Sequence, residues 1–279
     1  MDFAVFLAVL AGAAMHAGWN ALVKTGPDRT ASIFLLALIQ GLLALALLPF
    51  FAMPSVSSWP WIAVSALLHA GYKIFLIRAY EHGDMSQVYP LARGSAPLIV
   101  ALAGIYVLAE ALTPMKFAAV CAIGLGVMLM SSRLGSSAAM PRKALLFALA
   151  TAVLTASYTL VDAVGAQRSG TASGFTLWMF AGDGILMTIY ALLVRGCGLV
   201  AAVRGNLAGG VVAGALSLGS YWIAIWAFTL APVALVAALR ETSVLFAMLI
   251  AVFWLGEKAG MQRWLAAALI LAGIVLMRF

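Results

Sequence analysis

Six ionisable side chains, Lys73, Arg93, Asp162, Asp183, Arg240 and Glu241, stand inside long apolar runs of this chain. On insertion scales a charge at the centre of a membrane helix costs about 2.5–3.5 kcal/mol, so six facing lipid would together cost roughly 15–20 kcal/mol. They must face one another or a wet cavity. A guanidinium in such a place can take a carboxylate through paired hydrogen bonds, and an intramembrane carboxylate can hold and release a proton. Arg93 and Arg240 are therefore candidates for meeting a substrate carboxylate, or for pairing with a neighbouring acid to fix helix packing. Asp183 (between Gly182 and Gly184), Asp162 and Glu241 are the candidates for proton coupling.

Aromatic and polar residues fall at helical spacing around these charges. His69, Tyr72, Lys73, Leu76 and Tyr80 follow steps of three and four, which places them on one helix face. His16, Trp19 and Asn20 do the same nearer the start, and Thr155, Tyr158, Thr159 and Asp162 repeat that stripe later. Tyr221, Trp222 and Trp226, with Tyr89 and Trp178, complete the candidate lining. Such a wall suits an amphipathic zwitterion whose side chain packs on rings. His16 and His69 read equally well as structural hydrogen-bonders. Trp59, Trp61 and Trp264 read as interfacial anchors, and Glu110 and Glu257 as capping groups at loop edges. Pro90 and Pro97 break the hydrogen-bond ladder of their helix, and Gly94 loosens it between them, so this stretch is a candidate hinge.

The elements that must position these residues follow from composition. The chain has 279 residues, is 65% hydrophobic and only 9% charged, and has a mean hydropathy of +1.11. A soluble domain would carry roughly a quarter charged residues, whereas a bilayer solvates apolar outer faces directly. Spanning it takes about 20 apolar residues per helix. Breaks at Gly, Pro and charge clusters give about ten spans: 3–23, 31–51, 59–80, 85–108 and 114–130, then 143–164, 171–194, 207–230, 232–255 and 261–277. The reading is an all-α membrane protein. The net charge of +7 does not point to nucleic acid, because the 16 Lys and Arg are scattered singly. Cys121 and Cys197 form no metal or disulfide spacing. No cofactor and no metal are expected.

The chain also looks duplicated. Residues 1–132 and 143–279 form two halves, joined by a Ser/Gly/Ala-rich linker at 133–142. With Arg93 set on Arg240, Glu110 lands on Glu257, Gly126 on Gly273 and Leu129-Met130 on Leu276-Met277. Five spans per half is an odd number, so the second half enters the membrane from the opposite side. That makes two inverted five-helix repeats around a central cavity, an arrangement that places a substrate site near the midplane. An intramembrane enzyme or a channel-like protein with a polar cavity is the alternative. The sequence contains no H-E-x-x-H or G-x-S-x-G motif, and no charged ring repeated about an axis.

The segments Leu108-Ala109-Glu110 through Gly126-Val127, and Leu255-Gly256-Glu257 through Gly273-Ile274, resemble the repeated signature of EamA-type transporters of the drug/metabolite transporter superfamily. Tyr89-Pro-Leu-Ala-Arg-Gly-Ser-Ala-Pro97 and Leu239-Arg-Glu-Thr-Ser243 are similar to a subgroup of that family. The resemblance implies ten helices, a central cavity, and export or exchange of amino acids and related metabolites. The expectation is thus a multi-pass plasma-membrane carrier working by alternating access, a monomer or weak oligomer. Its partners would be the lipid bilayer, a small-molecule substrate such as an amino acid, and protons.

Overall fold

The computed structural model describes residues 1–279 except 26–28, 83–84, 132–139, 197–206, 255, 257–258 and 279; side chains are also left undescribed at 24–25, 29–30, 80, 85–87, 89–90, 131, 195 and 254. The linker expected at 133–142 and Glu257 therefore lie largely or wholly outside the described residues. The helices are α1 (Phe3–Thr25), α2 (Arg29–Leu47), α3 (Trp59–His82), α4 (Met85–Val107), α5 (Pro114–Ser131), α6 (Arg142–Ser169), α7 (Ala172–Arg195), α8 (Leu207–Phe228), α9 (Val233–Arg240), α10 (Ser243–Leu249) and α11 (Met261–Leu276). No strand occurs among the described residues. Among the described residues seven helical stretches can cross a membrane by length and composition, and three shorter apolar helices accompany them at Leu91–Val107, Pro114–Met130 and Met261–Leu276.

Local chemistry sets several helix ends. Gly170 takes the left-handed conformation (φ 71°) that closes α6, and Thr171 caps α7 by accepting the Gly174 N–H at 3.1 Å. Free carbonyls at the α6 terminus are used by the preceding loop. The Ser55 N–H donates to Ser169 O at 2.9 Å, and its hydroxyl to Arg168 O at 2.8 Å. Glu110 caps a helix of the other half: its Oε1 accepts the Val233 N–H at 2.6 Å, at the start of α9.

The ninth span differs from the uninterrupted helix expected over 232–255. Between α9 and α10 the chain tightens: Glu241 N–H donates to Ala238 O, Thr242 N–H to Leu239 O and Val244 N–H to Glu241 O, at 3.0, 3.1 and 3.0 Å. These are i→i+3 bonds, the geometry of a 3₁₀ turn. A π-helical turn follows at Ile250–Trp254. By contrast, α4 is helical through Pro90, Gly94 and Pro97. Gly94 serves close packing there, since a Cβ on it would lie 3.2 Å from Gly124 O of α5.

Helices pair across the halves: α1 on α8 and α3 on α6, α2 on α7, α5 on α11, and α4 on α9. The contacts of α5 and α11 are reciprocal. A Cβ on Gly126 would stand 3.1 Å from Ala266 O, and one on Gly273 2.9 Å from Ala119 O. At the α2–α7 crossing Gly41 meets Gly184, where a Cβ on either would lie within 3.0 Å of the other's Cα. Small residues of this kind let membrane helices approach closely. Gly184→Ala is expected to lower stability by about 1–3 kcal/mol. Gly71→Ala, whose nearest neighbour would be Leu154 Cδ1 at 3.8 Å, is the control. Thermal melts in detergent compare them; equal melts would mean that the crossing relaxes. Around the bundle, large apolar side chains such as Tyr106, Leu193 and Phe253 are exposed, as expected where lipid is the solvent.

Candidate functional site

The helices converge on a cavity of about 120 Å³, room for several waters at the roughly 10–15 Å³ each requires. Helix α1 brings His16, Trp19 and Asn20 to it, and α3 brings His69, Tyr72 and Lys73. Single contributions come from α4 (Arg93), α6 (Tyr158) and α9 (Arg240), and α8 gives two, Ser217 and Tyr221. The stripes on α1 and α3 thus arrive on one wall. Its apolar part includes Leu36 and Phe180.

Behind the wall sit three buried carboxylates, each with its own partners. Asp183, wholly buried, is ion-paired with Lys73. Glu241 accepts from Arg93 Nε at 3.1 Å, joining the ninth span to α4. Asp162 has no Lys or Arg partner among the described residues. It accepts from the hydroxyls of Ser65 and Tyr221, and its Oδ2 lies 3.0 Å from His69 Nε2. The His69 ring stacks on Tyr158 with centroids 4.1 Å apart and meets Tyr221 edge-on at 4.9 Å.

Arg240 is the cation left over. Its guanidinium carbon lies 4.5 Å from the Tyr221 ring centroid, and among the described residues no hydrogen bond or ion pair engages it. Tyr221 therefore bridges the two charges that lack a fixed counter-ion, holding Arg240 on its face and Asp162 at its hydroxyl. A guanidinium held over a ring in this way keeps N–H donors that can meet a planar anion. The wall also carries unsatisfied polar atoms. Trp19 Nε1 and Gln40 Oε1 are buried without a partner among the described residues, while Gln40 Nε2 donates to Ser217 Oγ at 2.9 Å.

Other candidates lie elsewhere. Trp178 packs on Trp59 with centroids 4.9 Å apart. Trp222 donates to Ser173 Oγ at 3.0 Å and lies against Phe51, and Trp226 is part-exposed on the outside of α8. The side chains of Tyr80, Tyr89 and Pro90 lie outside the described residues. Glu241 stands behind the wall through Arg93. Sequence reasoning missed Gln40, Ser65, Phe180 and Ser217. Gln40, a lone amide in an apolar span, carried a usable signal. Among the described residues no group of three or more His, Cys, Asp or Glu is placed to hold a metal ion.

Apolar helices paired across two halves, enclosing a charged and aromatic cavity, define a multi-pass membrane protein built to admit a small solute. The chain belongs to the EamA-like transporter family, whose model matches residues 3–132 and 142–279; the members of that family are membrane transporters of the drug/metabolite transporter superfamily. A solved crystal structure shares the fold with a TM-score of 0.71 at 18% identity, covering 98% of this chain and 94% of its own. No curated protein matches.

Proposed function

We propose that the protein is a secondary transporter of small amphipathic carboxylates, with aromatic and apolar amino acids among them. It would work across the plasma membrane by alternating access, in efflux or exchange. The observation that carries this reading is Arg240, a cation with no acidic group at ion-pair distance among the described residues, set on an aromatic wall. A substrate carboxylate would meet its N–H edge while the rest of the molecule packs on Tyr72, Tyr158 and Phe180. Ten spans in two inverted five-helix repeats accommodate the seven long and three shorter apolar helices, and the reciprocal α5–α11 contacts support a two-fold relation between the halves. Rocking of one repeat against the other would have two places to bend: the α9–α10 break beside Arg240, and the stretch of α4 holding Pro90, Gly94 and Pro97. Counterflow in liposomes with labelled amino acids tests the proposal. Saturable exchange blocked by unlabelled members of one class supports it, and no exchange by folded protein rejects it.

Proton coupling, if transport uses it, is assigned to the His69–Asp162 pair. Asp183 and Glu241 are each held by a fixed cation, Lys73 and Arg93, whereas Asp162 meets an imidazole and two hydroxyls. The groups facing the pair are Tyr158, Tyr221, Ser65 and, through Tyr221, Arg240. His69→Gln is expected to flatten the pH profile of transport. A retained profile would remove the pair from the proton path.

A further inference from the structure

We propose that the cavity selects organic monoanions over zwitterions: the preferred substrate is a carboxylate on an aromatic or apolar body, with no ammonium group. This inference rests on the transport function proposed above and narrows its substrate.

Three observations carry it. First, the charged groups lining the cavity are all basic, Lys73, Arg93 and Arg240; no Asp or Glu lines it among the described residues. Second, the three carboxylates close enough to matter are recessed and each holds a partner: Asp183 holds Lys73 through Oδ2 (its Oδ1 is buried with no partner among the described residues), Glu241 holds Arg93, and Asp162 holds Ser65, Tyr221 and His69. An incoming ammonium would have to displace one of these partners or enter without a counter-charge, and an uncompensated buried charge is strongly unfavourable. Third, two aromatic faces that could hold an ammonium by cation–π attraction are already covered. Arg240 lies over Tyr221, and His69 stacks on Tyr158. The unpartnered acceptor on the wall, Gln40 Oε1, is a neutral amide oxygen suited to a hydroxyl or an amide N–H.

Three probes that share a phenyl ring separate the alternatives: 3-phenyllactate (carboxylate and hydroxyl), phenylalanine (carboxylate and ammonium) and phenethylamine (ammonium alone). Counterflow of each labelled probe is measured at neutral pH in liposomes containing the full chain, with Arg240→Gln alongside. The expected result is half-saturation by 3-phenyllactate at a concentration roughly tenfold below that of phenylalanine. Phenethylamine should neither exchange nor compete, and Arg240→Gln should lose exchange of both carboxylates. Phenylalanine half-saturating at an equal or lower concentration than 3-phenyllactate, or competition by phenethylamine, would overturn the anion preference and leave the carrier function standing. No exchange of any probe, by protein whose melt shows it folded, would overturn the carrier reading for aromatic carboxylates and the preference with it.

Discussion

Arg240→Gln is expected to abolish substrate exchange, by about a hundredfold or more, in a protein that still folds. A hydrogen-bonded charge pair sheltered from water loses about 2–5 kcal/mol when one partner is truncated, and each 1.4 kcal/mol is a factor of ten. The fold loses far less. Arg240 holds no carboxylate among the described residues, and its contact with the Tyr221 ring is worth about 0.5–2 kcal/mol. Arg240→Lys should recover only part of the exchange, because an ammonium offers a point charge in place of the planar fork that matches a carboxylate. Counterflow, read beside a thermal melt, separates the two effects. Full activity in Arg240→Gln would remove this residue from substrate binding.

The site was legible wherever helical spacing alone fixed a face. His69, Tyr72 and Lys73 lie within one turn of α3, and His16, Trp19 and Asn20 within one turn of α1; both groups line the cavity. Spacing failed on α8, which is apolar all round. Trp222 and Trp226 are one turn apart and share a face, but so are Ser217 and Tyr221, and it is the second pair that points inward. A step of one residue turns the helix by about 100°, and in a span bounded by lipid on one side and protein on the other, large aromatics suit either environment. Only the polar atoms at Ser217 and Tyr221 mark the inner face. The break in the ninth span had no local signal at all, since residues 240–243 contain neither Pro nor Gly. The network around Asp162 joins α3, α6 and α8, and the choice of Ser65 and Tyr221 as its donors is set by how those helices pack.

Helix packing also gives Arg93 and Arg240 different work, although the repeat aligns them. Arg93 donates to Glu241 across the α4–α9 contact, with both side chains buried. Arg93→Met would strand the Glu241 carboxylate, and breaking a buried pair from one side costs about 3–5 kcal/mol. The expected result is a lower melting temperature and reduced yield, a folding defect that Arg240→Gln does not share. Removing the stranded charge should repair most of it: Arg93→Met/Glu241→Leu is expected to melt above Arg93→Met, because replacing a whole buried pair with apolar residues is often neutral or better. Transport separates stability from function in this pair. If the double variant regains stability and exchange together, Arg93 acts through packing, and Arg240 alone of the two aligned arginines meets the substrate. If it regains stability without exchange, Arg93 also serves the cavity that it lines. A melt for Arg93→Met equal to that of the unaltered protein would mean the ion pair does not hold α4 to α9.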